Sequence, residues 1–286
     1  MTIEDLIDDF LENNSGRLCA GSIAIYQQEK RKLRGFKQNV SLLEIDNKFL
    51  IKYENYLRNE LKNVTNTVNK SFRKLRALLN YAHKINVLDR NHYPFNNYRI
   101  KDSTVDKEFL TIEEIKRLIQ LYENDLSDKF LNTLNYFLFA LYTGLRYSDV
   151  LALNKSNVFE TENIKYIKVH TQKTKETTII PLTNEALNCI AFAELHKSRY
   201  QGEKLFNVYT NQKTNEYLKL IAMYAKIEKK LSFHTARYTF ANVLSNSGMD
   251  IKTIQHLMAH SDQKMTEKYT KFKVKNMLGM LDAFKF

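Results

Sequence analysis

The sequence predicts a mainly α-helical protein in two domains, with a small β-sheet (α+β) in the second. Three observations carry this. The chain of 286 residues is long enough for two cores. Only seven glycines and two prolines interrupt it, and most segments between them repeat apolar residues at three- and four-residue steps rather than in alternation. A composition of 43% apolar and 27% charged residues is that of a globular protein and excludes disorder throughout. There is no apolar run of about 18 residues that would suit a membrane span, and the opening MTIEDLIDDF is acidic where a signal peptide is basic. The expected compartment is the cytoplasm. Cys19 and Cys189 lie far apart and read as reduced thiols, not as a disulfide framework or a zinc site.

Residues 2–14 read as a short helix capped by Thr2, and Ser22–Phe36 as a second that carries Lys30, Arg31, Lys32 and Arg34. A third covers Asn47–Glu60. The fourth, Thr65–His83, places Phe72, Leu75, Leu79 and Ala82 on one inward stripe and Lys70, Arg73, Lys74 and Arg76 on its other faces. Those cations suit a solvated helix surface and a helix laid against DNA phosphates equally well. From Pro94 to Glu108 the periodicity lapses, and this stretch holds the predicted interdomain linker, centred on 101–107, between domains at 1–100 and 108–286.

The second domain opens on Leu110-Thr111-Ile112-Glu113-Glu114, a capping-box pattern in which Thr111 and Glu114 satisfy each other's backbone donors. Phe130–Tyr142 reads as a buried helix closed by Gly144. The one β signal is Ile164–Leu182, two apolar arms around the polar turn Thr171–Glu176, a hairpin or part of a small sheet. Helices return at Thr235–Ser247, ending at Gly248, then from an Asp250 cap through Met258, then a short one capped by Ser261 or Asp262 that includes Tyr269. A last apolar-striped helix spans Val274–Phe284.

Lysine and arginine total 44 against 32 acids, a net charge of +12. The first hundred residues and the remainder each carry +6, so no detachable tail holds the excess. Such a balance points to a polyanionic partner. Four local patterns can meet one. In Thr143-Gly144-Leu145-Arg146, glycine permits a sharp exit from a buried helix and Arg146 projects where the next begins. A guanidinium there can fork onto two phosphate oxygens, or bond helix-end carbonyls with Asp149 as partner. In His234-Thr235-Ala236-Arg237 the imidazole and guanidinium share a helix face. Leu257-Met258-Ala259-His260 is followed nine positions later by Tyr269, and Lys173 sits in the hairpin turn. Each pattern alone has an ordinary capping, packing or solvated reading.

In order along the chain, Arg146, Lys173, His234, Arg237, His260 and Tyr269 resemble the active-site signature of the tyrosine recombinase, or phage integrase, family. The likeness extends to a helical SAM-like core-binding domain over 1–100 and a catalytic domain over 108–286, which the family closes around DNA as a C-shaped clamp. It implies that Arg146, Arg237 and His260 stabilise charge on a phosphodiester and that Tyr269 attacks it to give a 3′-phosphotyrosyl enzyme. It further implies that Lys173 protonates the leaving 5′-oxygen and that His234 is a base or proton relay. Asp149 matches a position where relatives carry an acid that supports the Arg146 region. Many relatives have glycine where this chain has Ala259. No cofactor, metal or ATP is implied.

The implied partners are double-stranded DNA with specific core sites, three further copies of the chain on a four-way junction, and accessory proteins, with no membrane. Lys- and Asn-rich character resembles integrases of mobile elements, prophages or conjugative transposons, which frequently carry an additional N-terminal arm-binding domain. The core-binding-like segment here begins near Met1, as in a minimal recombinase or a shortened chain. Two other functions share these residues or this fold: a DNA-relaxing enzyme of the type IB topoisomerase kind, and a non-catalytic DNA-binding regulator. A metal nuclease is disfavoured because no carboxylate cluster of the required kind stands out.

Overall fold

The structure, a computed structural model, describes residues 1–96, 98, 108–123, 126–170, 177–196 and 202–258. The chain divides into two compact units, Met1–Val105 and Asp106–Phe286. Among the described residues, no helix is long and apolar enough to cross a membrane.

The first unit is built from α1 (Ile3–Asn13), α2 (Ala20–Phe36), α3 (Asn47–Asn55) and α4 (Thr65–Lys84). Thr2 and Asp5 cap α1 reciprocally, and Asp46 caps α3 by accepting from the Phe49 amide. The predicted stripe of α4 is the centre of the core: Phe72, Leu75, Leu79 and Ala82 are buried against Ile3, Leu6 and Ile7 of α1, Leu33 of α2 and Leu50 and Tyr53 of α3. Beyond α3 the chain continues through five residues of wider π winding, Tyr56–Glu60.

One helix start in this unit differs from the sequence reading. Helix α2 starts two residues before Ser22, with Cys19 at its N-cap, its thiol meeting the Ser22 hydroxyl at 3.3 Å and not capping a backbone amide. Pro94, Phe95 and Tyr98 belong to the first core: Pro94 and Phe95 are buried, and the Tyr98 ring stacks on Phe72 at 4.7 Å between centroids. Aromatic rings spaced by irregular backbone bury apolar area without leaving a periodic trace.

In the second unit the described elements are α5 (Ile112–Tyr122), α6 (Asp128–Thr143), α7 (Tyr147–Ala152), β1 (Val158–Thr161), β2 (Ile164–His170), β3 (Thr177–Pro181), α8 (Asn184–Leu195), α9 (Asn211–Tyr224), α10 (Phe233–Asn246) and α11 (Ile251–Leu257). Helix α6 is the hub and packs against α8, α9 and α10. Being buried nearly all round, it must satisfy its own polar side chains. Asn135 accepts from the Tyr122 hydroxyl and donates to the Cys189 carbonyl, both at 3.0 Å, and the Tyr136 hydroxyl meets Thr214 Oγ1 at 2.8 Å.

The capping box at α5 forms as predicted, Glu114 N donating to Thr111 Oγ1 at 3.2 Å and Thr111 N to Glu114 Oε2 at 2.7 Å. Thr111→Ala is expected to cost about 1 kcal/mol, a fall in Tm of roughly 2–4 °C in a thermal melt.

The β arms are part of a three-stranded antiparallel sheet in the order β1-β2-β3, with Ile167 opposite Ile180, both fully buried. The sequence reading misses β1, α8 and α9. Strand β1 is a largely exposed edge with no apolar alternation. Helix α8 buries only Ala186, Cys189 and Ala193, residues too small to make a conspicuous stripe. Helix α9 opens on the polar run Asn211–Asn215. Helix α10 begins at Phe233 rather than Thr235, because Ser232 and Thr235 form the capping box.

Candidate active site

The site grows from the end of α6. Gly144 closes that helix with φ of 68°, and its amide donates to the Ala140 carbonyl at 2.8 Å. A Cβ there would lie 2.5 Å from the Phe240 ring of α10. Glycine is therefore required twice, for the left-handed backbone and for the close approach of α10. Leu145 then turns inward, and Arg146, in extended backbone, is the N-cap residue of α7. Its Nη1 lies 3.8 Å from Oδ2 of Asp149, whose residue is 1% exposed. A carboxylate so buried supplies a negative charge that offsets part of the cost of drawing the guanidinium inward.

Helix α10 supplies the other groups. Its first turn leaves His234 exposed, with the ring edge-on to Tyr238 at 4.6 Å. One turn later Arg237 points inward and is 2% exposed. Its guanidinium forks: Nη1 donates to the Gly144 carbonyl at 2.5 Å, and Nη2 donates to the Met258 carbonyl. It thus ties the end of α6, two residues before Arg146, to the end of α11, two residues before His260. Burial first, and then the Arg146 charge, push the Arg237 pKa down to about 9, with Asp149 opposing. Two guanidiniums gathered at one buried corner make a place where an incoming anion relieves repulsion.

The sheet and α11 meet beside this corner. Strands β2 and β3 pair up to His170 and Thr177. Thr178 of β3 donates through Oγ1 to the His256 carbonyl of α11 at 3.2 Å, and Asp250 caps that helix. Arg146, His234 and Arg237 are therefore placed by the structure, and the two arginines are brought together. Lys173, His260 and Tyr269 lie outside the described residues, as do Ala259, the Ser261 or Asp262 cap and the predicted helix Val274–Phe284. Among the described residues, no group of three or more His, Cys, Asp and Glu is arranged to hold a metal ion. Arg237 bonds the carbonyl at the end of α6.

Sequence reasoning missed two supporting groups. Phe240 fixes the approach that Gly144 permits. Thr239, one turn after Thr235, accepts the Leu110 amide at 2.9 Å and donates to the Thr235 carbonyl at 2.8 Å, anchoring the entry of this unit to α10. The only signal available for either was that it follows His234 and Arg237 on a helix already singled out.

Residues 108–275 match the phage integrase family, and residues 2–101 match the phage integrase SAM-like domain. The chain belongs to the phage integrase family. It is accordingly a tyrosine recombinase, an enzyme that cleaves and rejoins DNA. Over 228 residues it is 27% identical to tyrosine recombinase XerC of Rickettsia bellii (strain OSU 85-389), covering 75% of this chain and 72% of that relative. It is 25% identical over 199 residues to a tyrosine recombinase of Pseudothermotoga lettingae, covering 68% and 66% of the two chains. Among solved structures, the Tn1549 transposon integrase (aa 82-397) in complex with circular intermediate DNA superposes with a TM-score of 0.76 at 18% identity, covering 97% of each chain. A lambda integrase tetramer bound to a Holliday junction gives 0.72 at 17% identity, covering 96% of this chain and 80% of that one. At those identities the structures speak to the fold: a helical SAM-like domain followed by a mainly helical catalytic domain with a small sheet.

The cations proposed from sequence for DNA contact divide into two sets in the recombinase. Arg31, Arg34, Lys70 and Arg73 are exposed on α2 and α4. Lys30, Lys74 and Arg76 instead use their heads within the first unit: Lys30 pairs with Asp8 at 2.5 Å, Lys74 with Glu29 at 3.5 Å, and Arg76 lies over the Phe95 ring at 5.0 Å. For these three, acidic or aromatic partners from other elements reach the charged heads, a feature the spacing along α2 and α4 does not record.

Proposed function

We propose that the chain is a site-specific integrase or recombinase of a mobile element, acting through a 3′-phosphotyrosyl intermediate. The observation that carries this is the pairing of Arg146 with a buried, forked Arg237 at the junction of α6, α7 and α10. Such a corner binds the non-bridging oxygens of one phosphodiester and stabilises the charge that builds as it becomes five-coordinate. His260 adds a hydrogen bond. Tyr269 forms the new O–P bond as the bond to the 5′-oxygen breaks, its proton passing to His234, while Lys173 protonates the leaving oxygen. Bond energy stored in the phosphotyrosine permits religation by a 5′-hydroxyl with no external energy source.

On this reading residues 1–100 bind the core site, 101–107 link, and 108–286 catalyse. Four copies exchange strands in pairs on a four-way junction, in keeping with the lambda integrase tetramer whose fold this chain shares. The element-borne role is supported by likeness to transposon and lambda integrases.

A suicide duplex, nicked next to a cleavage position found in the DNA flanking the gene, tests the chemistry. The expected result is a covalent adduct whose peptide, after proteolysis and mass spectrometry, carries DNA on Tyr269. Free nicked product with no adduct, or DNA on another residue, overturns it. Relaxation of a supercoiled plasmid without such a site would favour the topoisomerase reading.

A further inference from the structure

The seam between α2 and α4 holds a charge cluster that the catalytic site does not use. Glu29 is fully buried. Its Oε1 accepts from the Tyr53 hydroxyl at 2.8 Å and its Oε2 from the Ser71 hydroxyl at 2.9 Å. Two ammonium groups approach the same Oε2, Lys74 at 3.5 Å and Lys32 at 3.8 Å, and Lys32 also donates to Ser71 Oγ at 3.1 Å. Both lysine side chains are largely packed away, at 18% and 14% exposure. Burial and the neighbouring carboxylate hold the Tyr53 hydroxyl protonated far above its usual range, so it serves here as a donor.

Two features make this more than a structural ion pair. Two hydroxyls suffice to hydrogen-bond a carboxylate's oxygens, yet two lysines are added, leaving the cluster with a net positive charge. Lys74 stands at the long edge of hydrogen-bond distance from the carboxylate, and Lys32 stands beyond it and donates to Ser71 instead, so each three-donor ammonium keeps donors to spare. Lys70, exposed one turn before Lys74 on the same face of α4, extends the row. Flexible lysines usually lose side-chain entropy on docking; here that loss is largely incurred in folding.

We propose that Glu29 is a positioning residue which sets Lys32 and Lys74, with Lys70, as a preformed seat for one phosphate of the DNA backbone. The inference rests on the reading of this chain as a DNA recombinase. A phosphate bridging the two ammoniums from the solvent side completes an alternation of charge with the carboxylate beneath them.

The sign of one substitution separates this from a cluster that serves the fold alone. Glu29→Gln keeps size, keeps one acceptor oxygen while the other becomes an NH2 donor, and makes the unit one charge more positive, so a simple field argument expects tighter DNA binding. The seat expects the opposite, because the lysines repel one another and lose their fixed geometry. Binding of the full chain to a mixed-sequence duplex, followed by fluorescence anisotropy across a salt series, should show Kd raised about three- to tenfold and the salt slope shallower by about 1. Unchanged or tighter binding by a variant whose circular dichroism matches wild type overturns the seat. Lys32→Gln, Lys74→Gln and their double variant, with Glu29 intact, apply if Glu29→Gln does not fold. Each single variant should then lose most of what the double loses, and strictly additive losses overturn the proposal. Wild-type protein with no salt-dependent binding would sink the DNA-recombinase reading itself, whereas normal wild-type binding with an unaffected Glu29→Gln sinks the seat alone.

Discussion

Arg237→Lys is expected to slow strand cleavage by roughly 10²–10³-fold, the loss typical when one preorganised donor to a developing oxyanion is removed. Lysine keeps the positive charge, so a loss of this size would reflect geometry. The guanidinium of Arg237 bonds two carbonyls from different elements, Gly144 and Met258, and a single ammonium cannot span both while also facing a phosphate. One buried carbonyl loses its partner, at a cost of about 1–3 kcal/mol, so the variant should melt earlier yet remain folded at room temperature. Single-turnover cleavage of the nicked duplex, anisotropy and a thermal melt together check the result. Duplex affinity should change little, since contacts elsewhere on the basic surface carry it. Cleavage within tenfold of wild type would remove Arg237 from the proposed machinery.

Gly144→Ala should be the most damaging single methyl group in the second unit. At φ of 68° an L-residue meets its own carbonyl, and the new Cβ would stand 2.5 Å from the Phe240 ring. Left-handed strain and overpacking together amount to about 3 kcal/mol, which a melt should record as a fall of roughly 6–12 °C. The effect should extend to catalysis, because the Gly144 carbonyl receives Arg237 and the chain two residues on is Arg146. Pairing it with Phe240→Leu should recover part of the stability, since that removes the steric component and leaves the backbone one. A full recovery would mean that backbone conformation at Gly144 matters little.

The helical register of α4, the cap of α5, the buried character of α6 and the end of that helix at Gly144 were all legible before any coordinates. Each is a local pattern: apolar side chains three or four apart, a hydroxyl three residues before a carboxylate, a glycine after an apolar run. Legibility fails where burial is spread over small or aromatic residues without period, as in α8 with its alanines and cysteine and in the Tyr93–Tyr98 stretch. It fails also for polar partners. Lys74 reads as one more surface cation on α4, because the carboxylate that holds it comes from another helix.

The register and caps of the strongly periodic helices and the inventory of reactive side chains therefore belong to the sequence, since periodicity and capping act between neighbours along the chain. The tertiary structure alone decided that Arg237 is buried and braced on a carbonyl 93 residues away, and that Ser71 and two lysines share a carboxylate, the serine lying 42 residues from it. Apolar burial repeats with the backbone's own geometry and so leaves a trace in one dimension. A hydrogen bond between distant residues depends on where two separate elements meet, and nothing in the spacing of either one records the other.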